Sequence, residues 1–178
     1  MSKVRNFMAA VAVLTVLCFV GIIGCSQMPT ANDEPTVADD NPVLLKRTAS
    51  VAKILGDSAY VETIVSAKLG GIVSLLDVQL FFPPGALNND TLISIGIPDF
   101  FIFENHFGTD GLVFNVPVKV VMSYRDADLT GIDENSIKMA WYNTSSDHWD
   151  VIDCEINFVS KTVTAYVNHF SAYGLISD

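Results

Sequence analysis

The chain has 178 residues, half of them hydrophobic, and its 10 basic and 20 acidic side chains give a net charge of −10 at pH 7. This length suits one domain with additional segments, and an acidic surface repels phosphate backbones, which argues against a nucleic-acid-binding protein. The acidic surface also excludes electrostatic attraction to anionic lipids as a means of membrane attachment.

The first 24 residues have the pattern of a secretory signal peptide. Lys3 and Arg5 are their only charged residues, and an apolar run of 17 residues follows from Phe7 to Ile23. That length is at the short limit for a membrane-spanning helix, so we expect a signal that is removed, with an uncleaved membrane anchor as the alternative. Removal of residues 1–24 leaves 8 basic and 20 acidic side chains, a net charge of −12.

The end of the apolar run resembles the lipobox of bacterial lipoproteins, and it reads Ile22-Ile23-Gly24-Cys25. In that family the signal is cut before the Cys, whose thiol forms a thioether with diacylglycerol. The resemblance implies cleavage between Gly24 and Cys25 and covalent diacylglycerol and acyl (palmitate-type) lipid on Cys25. It also implies a lipid-anchored protein of the bacterial cell envelope, at the outer membrane or the outer face of the cell membrane.

The segment from residue 25 to residue 57 is interpreted as the lipidated Cys, a disordered tether and a lead-in. Residues 26–42 are dominated by Pro, Asp, Asn, Thr and Ala, so they bury too little apolar surface to offset the entropy lost on ordering. Residues 43–56 fit either a short helix or an irregular edge strand.

Cysteine use excludes an internal disulfide. Cys18 lies in the signal, and Cys154 is then the only thiol besides Cys25. Free cysteines are most often buried as small hydrophobic groups, so we expect this for Cys154, with a reactive thiol as the alternative.

Residues 58–178 predict an all-β domain, an antiparallel β-sandwich, because short β-branched runs alternate with turn signals. Gly70-Gly71 predicts a hairpin between strands at Tyr60–Lys68 and Ile72–Phe82, and Pro83-Pro84-Gly85 ends the second strand. A helical turn is expected around Asp133–Ser136. Further strands are predicted at Thr91–Ile97, Val116–Tyr124, Ile137–Tyr142, Trp149–Asp153, Glu155–Val159, Thr162–Val167 and Tyr173–Ile176.

Several motifs occur in a familiar order. They are Phe82-Pro83-Pro84-Gly85-Ala86-Leu87, Thr91-Leu92-Ile93-Ser94-Ile95, Phe114-Asn115-Val116-Pro117-Val118 and His169-Phe170-Ser171-Ala172-Tyr173. This order resembles the ZU-five domain, the β-sandwich module of ankyrins and netrin receptors, over about residues 70–175. The resemblance implies a non-enzymatic module that binds a protein or a surface polymer, because those relatives mostly bind proteins.

The motif His169-Phe170-Ser171 carries one chemical hypothesis. Some relatives with this motif cleave themselves between Phe and Ser, which implies Ser171 as nucleophile and His169 as base here. Cleavage between Phe170 and Ser171 would release only residues 171–178. A structural corner, with Phe170 and Tyr173 in the core, is the favoured interpretation.

Aromatic residues suggest two further hypotheses. Trp141 and Trp149 flank a polar turn and could form a carbohydrate-binding platform, although packing of a hairpin on the core is favoured. Four phenylalanines lie in a predicted loop crossover, where they either cap the sandwich, as we expect, or expose a partner-binding or membrane-binding patch. These are Phe100, Phe101, Phe103 and Phe107.

The sequence predicts neither a metal site nor a cofactor beyond the lipid. Asp126 and Asp128 resemble the start of a calcium loop, but Ile137 occupies the position that requires a bidentate carboxylate, so a solvated acidic loop is favoured. No histidine is spaced from another His or from a Cys as zinc ligands are. The three histidines are His106, His148 and His169.

Overall fold

The computed structural model describes residues 41–177, so the predicted signal peptide, Cys25 and residues 26–40 of the predicted tether lie outside the described residues. Two antiparallel sheets pack together and confirm the predicted all-β sandwich. In chain order the elements are β1 (Val43–Leu44), α1 (Ala49–Leu55), β2 (Ala59–Val65), β3 (Gly71–Leu75), β4 (Val78–Phe82), β5 (Thr91–Ile97), β6 (Glu104–Gly108), β7 (Val113–Ser123), a 3-10 turn (Glu134–Ser136), β8 (Lys138–Asn143), β9 (His148–Ile152), β10 (Cys154–Asn157), β11 (Thr162–His169) and β12 (Ala172–Ser177).

The larger sheet has seven strands and the smaller has five. The larger runs in the order β2-β5-β6-β12-β8-β9, with β1 paired to β12, and the smaller runs β10-β11-β7-β4-β3. Neither sheet closes, so β2 and β9 are edges of one sheet and β3 and β10 are edges of the other. Within residues 41–177 no helix is both long and apolar enough to span a membrane.

The core lies between the inner faces of the two sheets. The strand predicted at Thr91–Ile97 is confirmed as β5, and its residues Ile93, Ile95 and Ile97 point into the core, each at most 1% exposed. Strand β7 contributes Val118 and Val120 from the opposite sheet, both fully buried. The side chains at the intervening positions point outward, so each sheet also has an outer face.

The predicted Gly70-Gly71 hairpin is wrong. Strand β2 pairs with β5, and β3 pairs with β4, so the two glycines join strands of different sheets. Strand β2 ends at Val65, and the Gly70 N–H donates to the Ser66 carbonyl at 2.8 Å to close a loop. Gly70 has φ +72° and passes beside the carbonyl oxygen of Phe82, which explains why glycine is required where the chain crosses between sheets.

Two further strand predictions need correction. The strand predicted at Ile72–Phe82 is a hairpin, because the chain reverses at Leu76-Asp77 and Leu75 pairs with Val78. Leu76 adopts φ +50°, which is uncommon for a residue other than glycine, so the sequence does not predict a turn there. Strand β6 was predicted to be part of a loop crossover, whereas it pairs with both β5 and β12.

Residues 43–56, which the sequence left open between helix and strand, contain one of each. Strand β1 pairs with the end of β12, and α1 follows it. Leu45 is 1% exposed, and its backbone N–H donates to the Leu175 carbonyl at 2.7 Å. The lead-in is therefore part of the sandwich, and the folded unit begins before the predicted boundary at residue 58.

Changing Gly70 to alanine should destabilise the sandwich more than the same change at another glycine with a positive φ. The new Cβ would lie 2.2 Å from the backbone oxygen of Phe82, in addition to the strain of the positive φ. Gly131 is the matched control, because it has φ +76° with no atom within 4 Å of the Cβ position. We expect Gly131→Ala to cost about 1–2 kcal/mol from backbone strain alone and Gly70→Ala to cost clearly more, measured by urea unfolding. Equal losses in the free energy of unfolding for the two variants would contradict the close approach of Gly70 to the backbone oxygen of Phe82.

Candidate functional site

The motif His169-Phe170-Ser171 forms the corner between β11 and β12. Phe170 is 1% exposed, with its ring 4.8 Å from that of Phe114. The Tyr173 hydroxyl donates to the His169 carbonyl at 2.8 Å, and burial raises the pKa of Tyr173. These contacts give the corner a structural role, because a buried ring and a buried hydroxyl both hold it in place.

The two groups that self-cleavage would need do not contact each other. The Ser171 hydroxyl donates to the Tyr142 carbonyl at 3.0 Å, while His169 Nδ1 lies 3.4 Å from the Phe170 carbonyl oxygen. A base must reach the proton that it removes, and here that proton is held by another acceptor. We therefore expect the bond between Phe170 and Ser171 to stay intact.

Intact mass spectrometry under denaturing conditions tests this expectation. The C-terminus should be retained after prolonged incubation at neutral pH, and Ser171→Ala should have the same C-terminal integrity as the native chain. A mass loss that matches residues 171–178 in the native chain, absent from Ser171→Ala, would contradict the structural interpretation of the corner.

Trp141 and Trp149 do not form one platform. Tyr142 pairs with Trp149 in the β8–β9 hairpin, so Trp141 faces the other side of the sheet. Trp141 packs against the main core, and Trp149 is 8% exposed in a cluster with Ala140 and Ile176. The predicted packing on the core is confirmed for Trp141, whereas Trp149 packs in a separate cluster on the other side of the sheet, so the two rings do not share a surface.

The acidic loop after β7 uses its carboxylates locally. Hydrogen bonds from Thr130 lower the pKa of Asp128, and hydrogen bonds from Asn135 lower the pKa of Asp133. Glu134 makes an ion pair with Lys161, which lowers the pKa of Glu134. No group of three or more His, Cys, Asp or Glu side chains arranged to hold a metal ion occurs in residues 41–177.

The phenylalanine cluster is divided between the core and the surface. Phe100, Phe103 and Phe107 are each at most 3% exposed, as expected for residues that cap the sandwich, whereas Phe101 is 46% exposed. Cys154 is half-buried against the core, and its Sγ accepts the Met139 N–H at 3.4 Å. Neither feature therefore brings reactive groups together.

The outer face of the five-stranded sheet carries a row of side chains that crosses four strands. We call it the ligand face, because we propose that it binds a ligand. Register places Ile72, Phe81, Lys119 and Tyr166 directly opposite one another on four adjacent strands. Ile72 is 60% exposed and Tyr166 is 66% exposed, while Lys119 Nζ lies 4.2 Å from the centre of the Phe81 ring. Strands lie about 4.8 Å apart, so this apolar row is about 14 Å wide.

A polar pocket of about 490 Å³ opens at the other end of the ligand face. Gln79, Ser123 and Thr162 line it from three neighbouring strands, and Arg125 and Asp126 line it from the loop after β7. The side chains of Gln79, Arg125 and Asp126 make no hydrogen bond or ion pair within the described part of the chain. Gln79 and Arg125 are exposed, and Asp126 is partly buried.

Sequence reasoning missed this face. The alternation of β7 did place Lys119 and Ser123 on one side, opposite the buried valines, and Tyr166 lies between the inward residues Ala165 and Val167. The part of the face formed by β3 and β4 could not be predicted, because the reversal at Leu76-Asp77 changes which residues of these two strands share a side.

No model of a known protein family matches the chain, and a search of the curated proteins finds no relative. The resemblance to lipoproteins and to the ZU-five domain remains a prediction from the motifs.

Proposed function

We propose that the chain is a lipid-anchored lipoprotein of the bacterial cell envelope whose β-sandwich is a non-enzymatic binding module. The basic start, apolar run and Gly24-Cys25 ending support the anchor. The sandwich fold and the motif order support a ZU-five-like module. With diacylglycerol and an acyl chain on Cys25, the anchor would be stable, because two or more chains hold a protein at a membrane far more firmly than one.

One observation carries the proposal of a binding module: the ligand face exposes Tyr166 and a pocket whose lining includes three polar side chains without a partner in residues 41–177. Ligand sites are usually concave and combine a few convergent polar groups with apolar or aromatic side chains, so this combination on one face favours ligand binding. Catalysis has less support, because the histidine and serine of the corner make separate contacts.

Crosslinked pull-down from the native envelope, with the lipid intact, tests the proposal. The full-length protein should enter the membrane fraction and retain a specific partner, either a protein or a surface polymer. Tyr166→Ala should lose that partner, while Tyr60→Ala, which removes a tyrosine of similar exposure (63%) from the larger sheet, should keep it. A partner retained equally by both variants would place the binding surface elsewhere, and recovery in the cytosol would contradict the anchor.

A further inference from the structure

We propose that the ligand face binds an uncharged, hydroxyl-rich glycan, with one sugar unit in the polar pocket and another stacked on Tyr166. This inference rests on the proposed function and names the class of ligand. The pocket and the exposed ring belong to the same outer face, since Thr162 and Tyr166 are both outward residues of β11. They are four positions apart along the strand, which is about 13 Å at the usual rise per residue. An extended ligand could therefore contact both.

The chemistry of the pocket suits vicinal hydroxyl groups. A sugar hydroxyl donates one hydrogen bond and accepts others, so it needs donors and acceptors side by side. Arg125 supplies donors, Asp126 supplies acceptors and Gln79 supplies both, and none of the three side chains is engaged elsewhere in residues 41–177. A purely apolar ligand would leave all three groups without partners, which costs free energy.

The pocket is also lined by a buried ion pair, Arg47 with Asp77. Arg47 Nη1 donates to Asp77 Oδ2 at 2.8 Å, and the Arg47 side chain is 3% exposed. Both residues line the pocket, and Arg47 also donates from Nε to the Phe100 carbonyl at 3.0 Å.

Tyr166 supplies the apolar contact that a sugar ring requires. One face of a pyranose presents C–H groups, which pack against the electron-rich face of an aromatic ring. Tyr166 is 66% exposed beside a second open pocket of about 380 Å³, which Ile72, Phe81 and Pro117 also line. Lys119 Nζ lies over the Phe81 ring, so Tyr166 is the aromatic ring left for stacking on this face.

Charge favours an uncharged ligand over a polyanion. The predicted mature chain carries a net charge of −12, which disfavours its association with acidic polymers. On the ligand face itself the charges balance, because Lys119 and Arg125 are matched by Asp126 and Glu155. The backbone of β4, β7 and β11 is paired on both sides within the sheet, so recognition over these strands must come from side chains, and an added peptide strand could pair only at the edges β3 and β10.

Binding of the full-length protein, held in detergent, to immobilised neutral gluco-, manno- and galacto-oligosaccharides tests the inference, with the polyanion alginate as comparator. At least one neutral oligosaccharide should bind more tightly than alginate. Tyr166→Ala and Gln79→Ala should each weaken binding at least about tenfold, equivalent to about 1.4 kcal/mol. Tyr60→Ala should bind as the native protein does, and all variants should keep the native thermal unfolding midpoint.

The possible failures are distinguishable. If no neutral oligosaccharide binds, but a protein partner is captured from the envelope and lost in Tyr166→Ala, the glycan assignment is overturned and the proposed function stands. If both variants bind glycan like the native chain, the assignment to this face is overturned. Preferred binding of alginate would overturn the charge argument, and absence of any partner or glycan would remove both proposals.

Discussion

Replacing Arg47 with methionine should lower the free energy of unfolding by about 3–5 kcal/mol, which is the usual cost of removing one partner of a buried ion pair. Arg47 and Asp77 have side chains that are 3% and 14% exposed, and Asp77 Oδ1 already has no partner among the described residues. The substitution would leave the Asp77 carboxylate buried without compensation. It would also remove the guanidinium that lies 4.0 Å from the centre of the Phe103 ring.

Two control variants separate the effect of the lost charge from the effect of the lost packing. The free energy of unfolding of every variant is measured by equilibrium urea unfolding. The double change Arg47→Met with Asp77→Asn should recover part of the loss, because it removes the uncompensated charge. Arg125→Met should stay within about 0.5 kcal/mol of the native protein, since Arg125 is exposed and unpaired in residues 41–177. A loss below about 1 kcal/mol for Arg47→Met would show that the lead-in does not depend on this pair.

Changing Cys25 to serine should abolish incorporation of a palmitate analogue into the protein. A hydroxyl group replaces the thiol that the lipobox chemistry requires, so no thioether can form. The matched control is Cys154→Ser, which alters the other cysteine of the mature chain and should label as strongly as the native protein. Labelling that survives Cys25→Ser, or that is lost in Cys154→Ser, would contradict the assignment of the anchor.

The anchor also predicts where the protein is found without its lipid. If residues 1–25 are replaced by an ordinary cleavable secretory signal, so that the mature chain begins at Ser26, detergent phase partition should place it in the aqueous phase. Its net charge of −12 gives no attraction to anionic lipid that could substitute for the acyl chains. Continued membrane association of this chain would mean that the sandwich itself binds the membrane.

The sandwich could be predicted from the sequence because side-chain alternation reports burial directly. From Ile93 to Ile97 in β5 and from Val118 to Met122 in β7 every second residue is apolar and buried, and the predicted spans Thr91–Ile97 and Val116–Tyr124 overlap the observed strands closely. The helical turn expected around Asp133–Ser136 is also confirmed, at Glu134–Ser136, where the Asp133 side chain accepts the Asn135 N–H.

Strand pairing could not be predicted in the same way, because it depends on contacts distant in sequence. The reversal at Leu76-Asp77 has Asp77 as its one common turn residue, but Leu76 occupies the position with positive φ, and Asp77 is held by Arg47, 30 residues earlier. Reading residues 72–82 as one strand puts Ile72 and Phe81 on opposite sides, whereas the turn brings them opposite each other on the ligand face. The missed turn therefore also concealed the candidate site.

The central claim is that the chain is processed and lipidated at Cys25, and the intact mass of the protein extracted from native membranes tests it most directly. The account predicts a mass equal to residues 25–178 plus diacylglycerol and acyl lipid, with the added mass located on the N-terminal cysteine by fragmentation. An unmodified chain that still carries residues 1–24 would contradict it.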